Sequence, residues 1–209
     1  MKSVMISIQP YWVFLIIAKV MGWDISKEKT VEVRKNYPKD ENWNKVVKIY
    51  CSKDKKSFAK IPVEYQPLME RFLGNVIGEF VCDRITPTTK DHIKDIAQAS
   101  CLTIPEMWEY GRKSSAYDLF GWHISDLVIY DDPKKLYEFH KCGALSMEEL
   151  DEQLCQYCRR TDYGEHRSSS TPNGYWSCEG KWCDEAYTEY LDSEYLLTRP
   201  PQSWCYVEG

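Results

Sequence analysis

The chain has 209 residues, enough to bury a real core as one domain with insertions or as one domain with a small appendage. Its 27 basic and 32 acidic side chains give a formal net charge of −5. That balance excludes non-specific duplex binding through a broad basic face, so any nucleic-acid contact has to be local and pocket-like.

The 15 Tyr and 8 Trp suit a β-rich core and also stacking on nucleobases, with core packing taking most of them. VMISIQ (4–9) alternates apolar and polar side chains and reads as a strand. Pro10 then opens a helix over YWVFLIIAKV, apolar nearly all round and therefore buried. Its apolar run follows Gln9-Pro10, has no small-residue cleavage site after it, and falls short of the ~20 apolar residues of a membrane span. The expectation is a soluble, cytoplasmic protein, with its nine cysteines reduced or metal-bound.

From Glu28 to Lys35 a period of two puts Val31 and Val33 on one face of a strand and Thr30, Glu32 and Arg34 on the other. KVVKIYCSK (45–53) is a β-branched strand, and 54–73 is a lysine-rich, then amphipathic, connection. GNVIGEFVCDRI (74–85) is a further strand, with Gly78 a bulge or a point of close approach. Thr103 caps a short helix, IPEMWEYGR, with Pro105 and Glu106 in its first turn. GWHISDLVIYDDP (121–133) reads as one long strand and SWCYVE (203–208) as the last. About six strands unevenly mixed with two or three helices predict an α+β mixed sheet or small barrel, not a doubly wound fold.

Residues 142–197 differ in composition and read as a Cys-rich insertion in a main domain formed by 1–141 and 198–209. Cys155, Cys158, Cys178 and Cys183 have the two-knuckle spacing of a structural zinc site, with His166 or Cys142 able to replace one ligand. Free thiols or a disulfide are the alternatives. Such an insertion can also offer a surface to a protein partner. Cys51, Cys82, Cys101 and Cys205 lie in apolar segments and read as small core residues.

Taken by spacing alone, Lys29, Glu32 and Arg34 fit the wet face of a sheet better than a site. The order MISI, EKTVEVRK, VIGEFVCDRI, GWHISDLVIYDDP and PPQSWCYVE, however, resembles the ASCH domain of the PUA-like superfamily, in the form found in phages and prophages of Gram-positive bacteria. Lys29, Glu32 and Arg34 occupy the last three fixed positions of its Gly-x-Lys-x-x-Glu-x-Arg signature, and Lys27 stands at the glycine.

The resemblance implies a PUA-like mixed β-barrel with a cleft beside the signature strand that binds RNA, a nucleotide or a modified nucleoside. In that cleft Arg34 offers a planar fork, Lys29 a point charge and Glu32 an acceptor. Trp122 is a candidate for base stacking and His123 for hydrogen bonding or proton transfer. Gln202, Ser203 and Trp204 complete the expected cleft, with Ser7 a weaker candidate.

Two alternatives follow from the same resemblance. One is an amidohydrolase that deacylates N-acetylated cytidine, with Lys29 at the catalytic lysine, Glu32 where such enzymes carry threonine, and Glu106 or Glu109 as the later glutamate. The other is a phage anti-defence or partner-binding protein that sequesters a nucleotide signal.

Overall fold

A computed structural model of the chain describes residues 3–39, 45–111, 118–141, 164–167, 175–178, 197 and 199–208. They fall into two units, one of residues up to 136 with 200–207, the other of 137–199 with the last two residues.

In the first unit β1 (Ser3–Ile8) is a central strand of the main sheet. It runs parallel to β3 (Lys45–Cys51), and β3 is antiparallel to β4 (Val76–Cys82). β7 (Ser125–Lys134) lies antiparallel to β4 on the far side, and β11 (Trp204–Glu208) is antiparallel to β1. The order is β7-β4-β3-β1-β11. A second sheet has the order β2-β6-β5, from β2 (Val31–Arg34), β5 (Ile85–Pro87) and β6 (Phe120–His123). The α+β, mixed-sheet expectation is met, but among the described residues of this unit the strands are divided between two sheets and form no closed barrel.

Helix α1 (Pro10–Ile17) starts one residue after β1 because proline supplies a helical φ where no N–H is needed. Six of its eight residues are buried. Five of these, residues 13 to 17, pack with Val4, Ile6 and Ile8 of β1 and Val47 and Ile49 of β3 in one core, which Trp23 and Tyr65 extend through ring contacts with Phe14. Asp54 caps the short α2 (Lys55–Phe58) by accepting from Lys56 and Ser57 N–H. α3 (Gln66–Glu70) then leads to β4. A Cβ on Gly78 would stand 2.2 Å from the Val128 carbonyl oxygen, and the β4–β7 register shifts beside it, so close approach and irregular pairing coincide there.

Helix α4 (Ile93–Ser100) and α5 (Ile104–Gly111) back the second sheet. Val31 and Val33 of β2 pack against Ile93, Ile96 and Ala97 of α4, Met107 of α5, and Leu119. The Thr103 cap is a full capping box: Glu106 accepts from the Thr103 N–H and hydroxyl, and Thr103 Oγ accepts from the Glu106 N–H.

The single long strand expected over 121–133 is two strands in different sheets. His123 N–H and Ile124 N–H bond to Arg84 and Thr30 carbonyls, whereas Ser125 onward pairs with β4. The switch is made with Asp126 in the left-handed region at φ 45°. Cys51 and Cys82 are core thiols, and burial pushes both up to about 12. Cys101 and Cys205 are half-buried rather than core residues. Cys101 ends α4 as its C-cap in the left-handed conformation at φ 57°, with its thiol donating to the Glu28 carbonyl.

In the second unit β8 (His140–Lys141) is followed by β9 (Gly164–Arg167) and β10 (Tyr175–Cys178), the last two paired antiparallel. Cys155, Cys158 and Cys183 of the expected zinc set lie outside the described residues, as do Cys142 and the Cys178 side chain. Among the described residues no helix is long and apolar enough to cross a membrane.

Candidate functional site

Successive residues of β2 face opposite ways, so Val31 and Val33 meet α4 and α5 while Glu32 and Arg34 turn the other way. That second face is not wet. Lys29, Glu32 and Arg34 are 3%, 8% and 5% exposed, which removes the solvated-face reading of the three charges.

Burying charges without partners is costly, and here they are joined in a chain. Glu32 accepts from Lys29 Nζ at 3.2 Å through one carboxylate oxygen and from Arg34 Nη2 at 3.1 Å through the other. Lys29 Nζ also donates to the Ser100 carbonyl, 2.9 Å away at the C-terminus of α4, where the helix dipole favours a cation. The Trp12 ring centroid lies 5.2 Å from Nζ. Burial holds the Lys29 ammonium below its ordinary pKa, and the Glu32 carboxylate opposes that shift.

Arg34 ties the two sheets of this unit together. Its Nη2 donates to the Ser7 carbonyl at 2.7 Å and its Nη1 to the Ser203 carbonyl at 3.4 Å, at adjacent ends of β1 and β11. Asn36 supports the same junction by accepting from Ser203 Oγ and from Trp204 Nε1.

The three charges form part of the wall of a cleft of about 340 Å³. Ser7, Ile8, Gln9 and Trp12 line it from the β1–α1 junction, Ser52 from the end of β3, Leu102 and Tyr110 from around α5, and Gln202 from the segment before β11. Thus Lys29, Glu32, Arg34, Gln202 and the weaker candidate Ser7 meet at one site. Ser203 serves it through its carbonyl, and Trp204 through Asn36. Gln9, Trp12, Ser52 and Tyr110 are site residues that the sequence reading passes over. The strand-to-helix junction at Gln9-Pro10 and the end of the strand at Ser52 were the available signals.

Trp122 and His123 stand elsewhere. Trp122 lies opposite Glu32 in the β2–β6 register but is 0% exposed and belongs to the main core. His123 is opposite Val31, on the other face, and lines a separate cleft with Arg84, Thr86, His92 and Asp95. Arg84 Nη2 is 3.1 Å from its Nδ1 and Thr86 Oγ 2.9 Å from its Nε2. A guanidinium only donates, so Nδ1 accepts and Nε2 carries the proton that goes to Thr86. Burial, and then the Arg84 charge, hold this imidazole below its usual pKa, so the ring is neutral near pH 7. Glu106 is occupied as the cap of α5, and the hydrogen bonds from Thr103 hold its carboxyl below the ordinary range.

No protein-family model and no curated protein matches the sequence. Among solved structures the chain is similar to crystal structures of the ASCH protein of Zymomonas mobilis. Two single-residue variants of that protein match with TM-scores of 0.42 and 0.43 at 15% and 16% identity. Each match covers 92% of this chain, and 98% and 96% of the other. The unsubstituted protein matches with a TM-score of 0.37 at 16% identity, over 92% of this chain and 95% of its own.

Proposed function

We propose that the cleft binds one nucleotide unit, free or as part of a single-stranded RNA. The observation that carries this is the buried Lys29–Glu32–Arg34 chain in the wall of a 340 Å³ cleft that also holds the Trp12 and Tyr110 rings. Two cations against one carboxylate leave that wall with a formal charge of +1, which suits a ligand rich in carbonyl and oxyanion groups. The aromatic walls suit a base, and the volume lies at the lower end of small-ligand sites, about 300–1,000 Å³. The acidic chain as a whole argues against a broad nucleic-acid surface, which agrees with a single pocket.

The test is calorimetric titration of the protein, Lys29→Met and Trp12→Ala with a panel of nucleotides and short oligonucleotides. Lys29→Met removes the charge while Glu32 keeps Arg34 as its partner. Each substitution is expected to weaken the best ligand by about 1–3 kcal/mol. Equal binding by all three proteins sinks the proposal.

A second reading rests on the lowered pKa of Lys29. An amine with a larger neutral fraction can act as base or nucleophile toward an acylated nucleoside. It predicts acetate release from N-acetylated cytidine that disappears in Lys29→Met. Absence of release at high enzyme concentration would set this reading aside and leave binding as the function.

A further inference from the structure

We propose that the inner end of the cleft is an oxyanion subsite, in which Ser52 Oγ, the Nε–H of Arg34 and the first turn of α1 hold a phosphate group of the ligand. This rests on the nucleotide reading above and narrows it to phosphorylated ligands.

Two polar atoms in the cleft lining are buried without a hydrogen-bond partner among the described residues: Arg34 Nε and Ser52 Oγ. Buried polar groups are nearly always paired, so two orphans in one cleft mark where an occupant supplies the missing bonds. Arg34 is 5% exposed, and each of its Nη atoms has a partner among Ser7, Glu32 and Ser203, so Nε is the guanidinium nitrogen without one among the described residues. Ser52 is fixed by its backbone, which donates to the Ile8 carbonyl where parallel β1 and β3 end together.

Helix α1 begins at the same place. Its N-cap, Gln9, makes no side-chain capping bond, Pro10 has no N–H, and the Tyr11 N–H goes to Ser57 Oγ. Gln9 and Trp12 line the cleft, so the positive end of an eight-residue helix opens on it. The nearby anions are already engaged. Glu32 is held by Lys29 and Arg34, and Asp54, which is not part of the lining, is held by Lys56 and Ser57 N–H and by Gln9 Nε2. A phosphate brings the acceptors that Arg34 Nε–H, the Ser52 hydroxyl and the helix end lack.

The experiment measures affinities for cytidine, cytidine 5′-monophosphate, the dinucleotide CpC and inorganic phosphate, on the unsubstituted protein and on Ser52→Ala. The monophosphate is expected to bind about tenfold tighter than cytidine, and inorganic phosphate to compete with it. In Ser52→Ala that ratio of monophosphate to cytidine affinity should fall to about threefold. Since Ser52 Oγ has no partner to lose among the described residues, the thermal midpoint of this variant should be unchanged or slightly raised, which separates binding from folding. Tighter binding of the monophosphate than of CpC assigns the subsite to terminal phosphates, and the reverse assigns it to RNA; both uphold it. Equal affinity for cytidine and its monophosphate, or a ratio untouched by Ser52→Ala, overturns the subsite while the base-binding reading stands. Binding of none of these probes overturns both.

Discussion

Replacing Glu32 with alanine is expected to lower the free energy of unfolding by about 3–5 kcal/mol, read by urea denaturation, whereas Lys29→Met should stay within roughly 1 kcal/mol of the parent. The asymmetry follows from the connectivity of the chain of charges. Glu32 is its middle member, and its two oxygens neutralise Lys29 on one side and Arg34 on the other. Without it two cations stay buried at 3% and 5% exposure with no counter-charge between them. Removing Lys29 instead leaves a complete Glu32–Arg34 pair and exchanges an ammonium for an apolar group of similar length. If both variants lose the same amount, the carboxylate is not the keystone of this junction, and the cleft wall is held mainly by the Arg34 bonds to Ser7 and Ser203. Because Glu32→Ala is expected to damage the fold, ligand binding by this variant says nothing about contact. That is why Lys29→Met and Ser52→Ala carry the binding tests.

What could be read from the sequence was what local chemistry decides. The strand β1, the proline at the start of α1, the Thr103 cap and the close approach at Gly78 each rest on a few neighbouring residues, and each is present in the fold, although β1 is buried on both faces and does not alternate between core and solvent. Helix α4 carries an i, i+3, i+4, i+7 set in Ile93, Ile96, Ala97 and Ser100, but it has no capping side chain at its start and ends in Cys101 rather than glycine. Without either punctuation, eight residues are a weak signal. The sheet switch between His123 and Ser125 has neither glycine nor proline to announce it, so two strands read as one.

The charged face of β2 shows the deeper limit. Alternating Glu and Arg on a strand has the same spacing whether the face meets water or another sheet, and only the arrival of β1 and β11 decides it. The order of the surrounding segments brought Lys29, Glu32 and Arg34 forward as a ligand site despite that ambiguity. It did not supply Trp12 or Ser52, which reach the cleft because β1 and β3 happen to end side by side.

The two tryptophans allow the last distinction to be tested. Trp122→Ala is expected to cost about 3–5 kcal/mol of stability, as for a fully buried aromatic side chain. Trp122 is 0% exposed and packs in the core with residues of β1, β3 and α1, so its removal leaves a cavity beside β2. Trp12→Ala should cost far less, because the ring is half-buried and its face looks onto the cleft at the Lys29 ammonium. In ligand affinity the order reverses. Trp12→Ala removes a stacking wall, worth about 1–3 kcal/mol per base. A milder replacement, Trp122→Phe, keeps the core filled and should bind ligand like the parent, because Trp122 is not part of the cleft wall. Weakened binding in Trp122→Phe at unchanged stability would place a base against the core tryptophan. The cleft would then have to open between the two sheets when occupied, rather than take its ligand at the end of β1 beside Trp12.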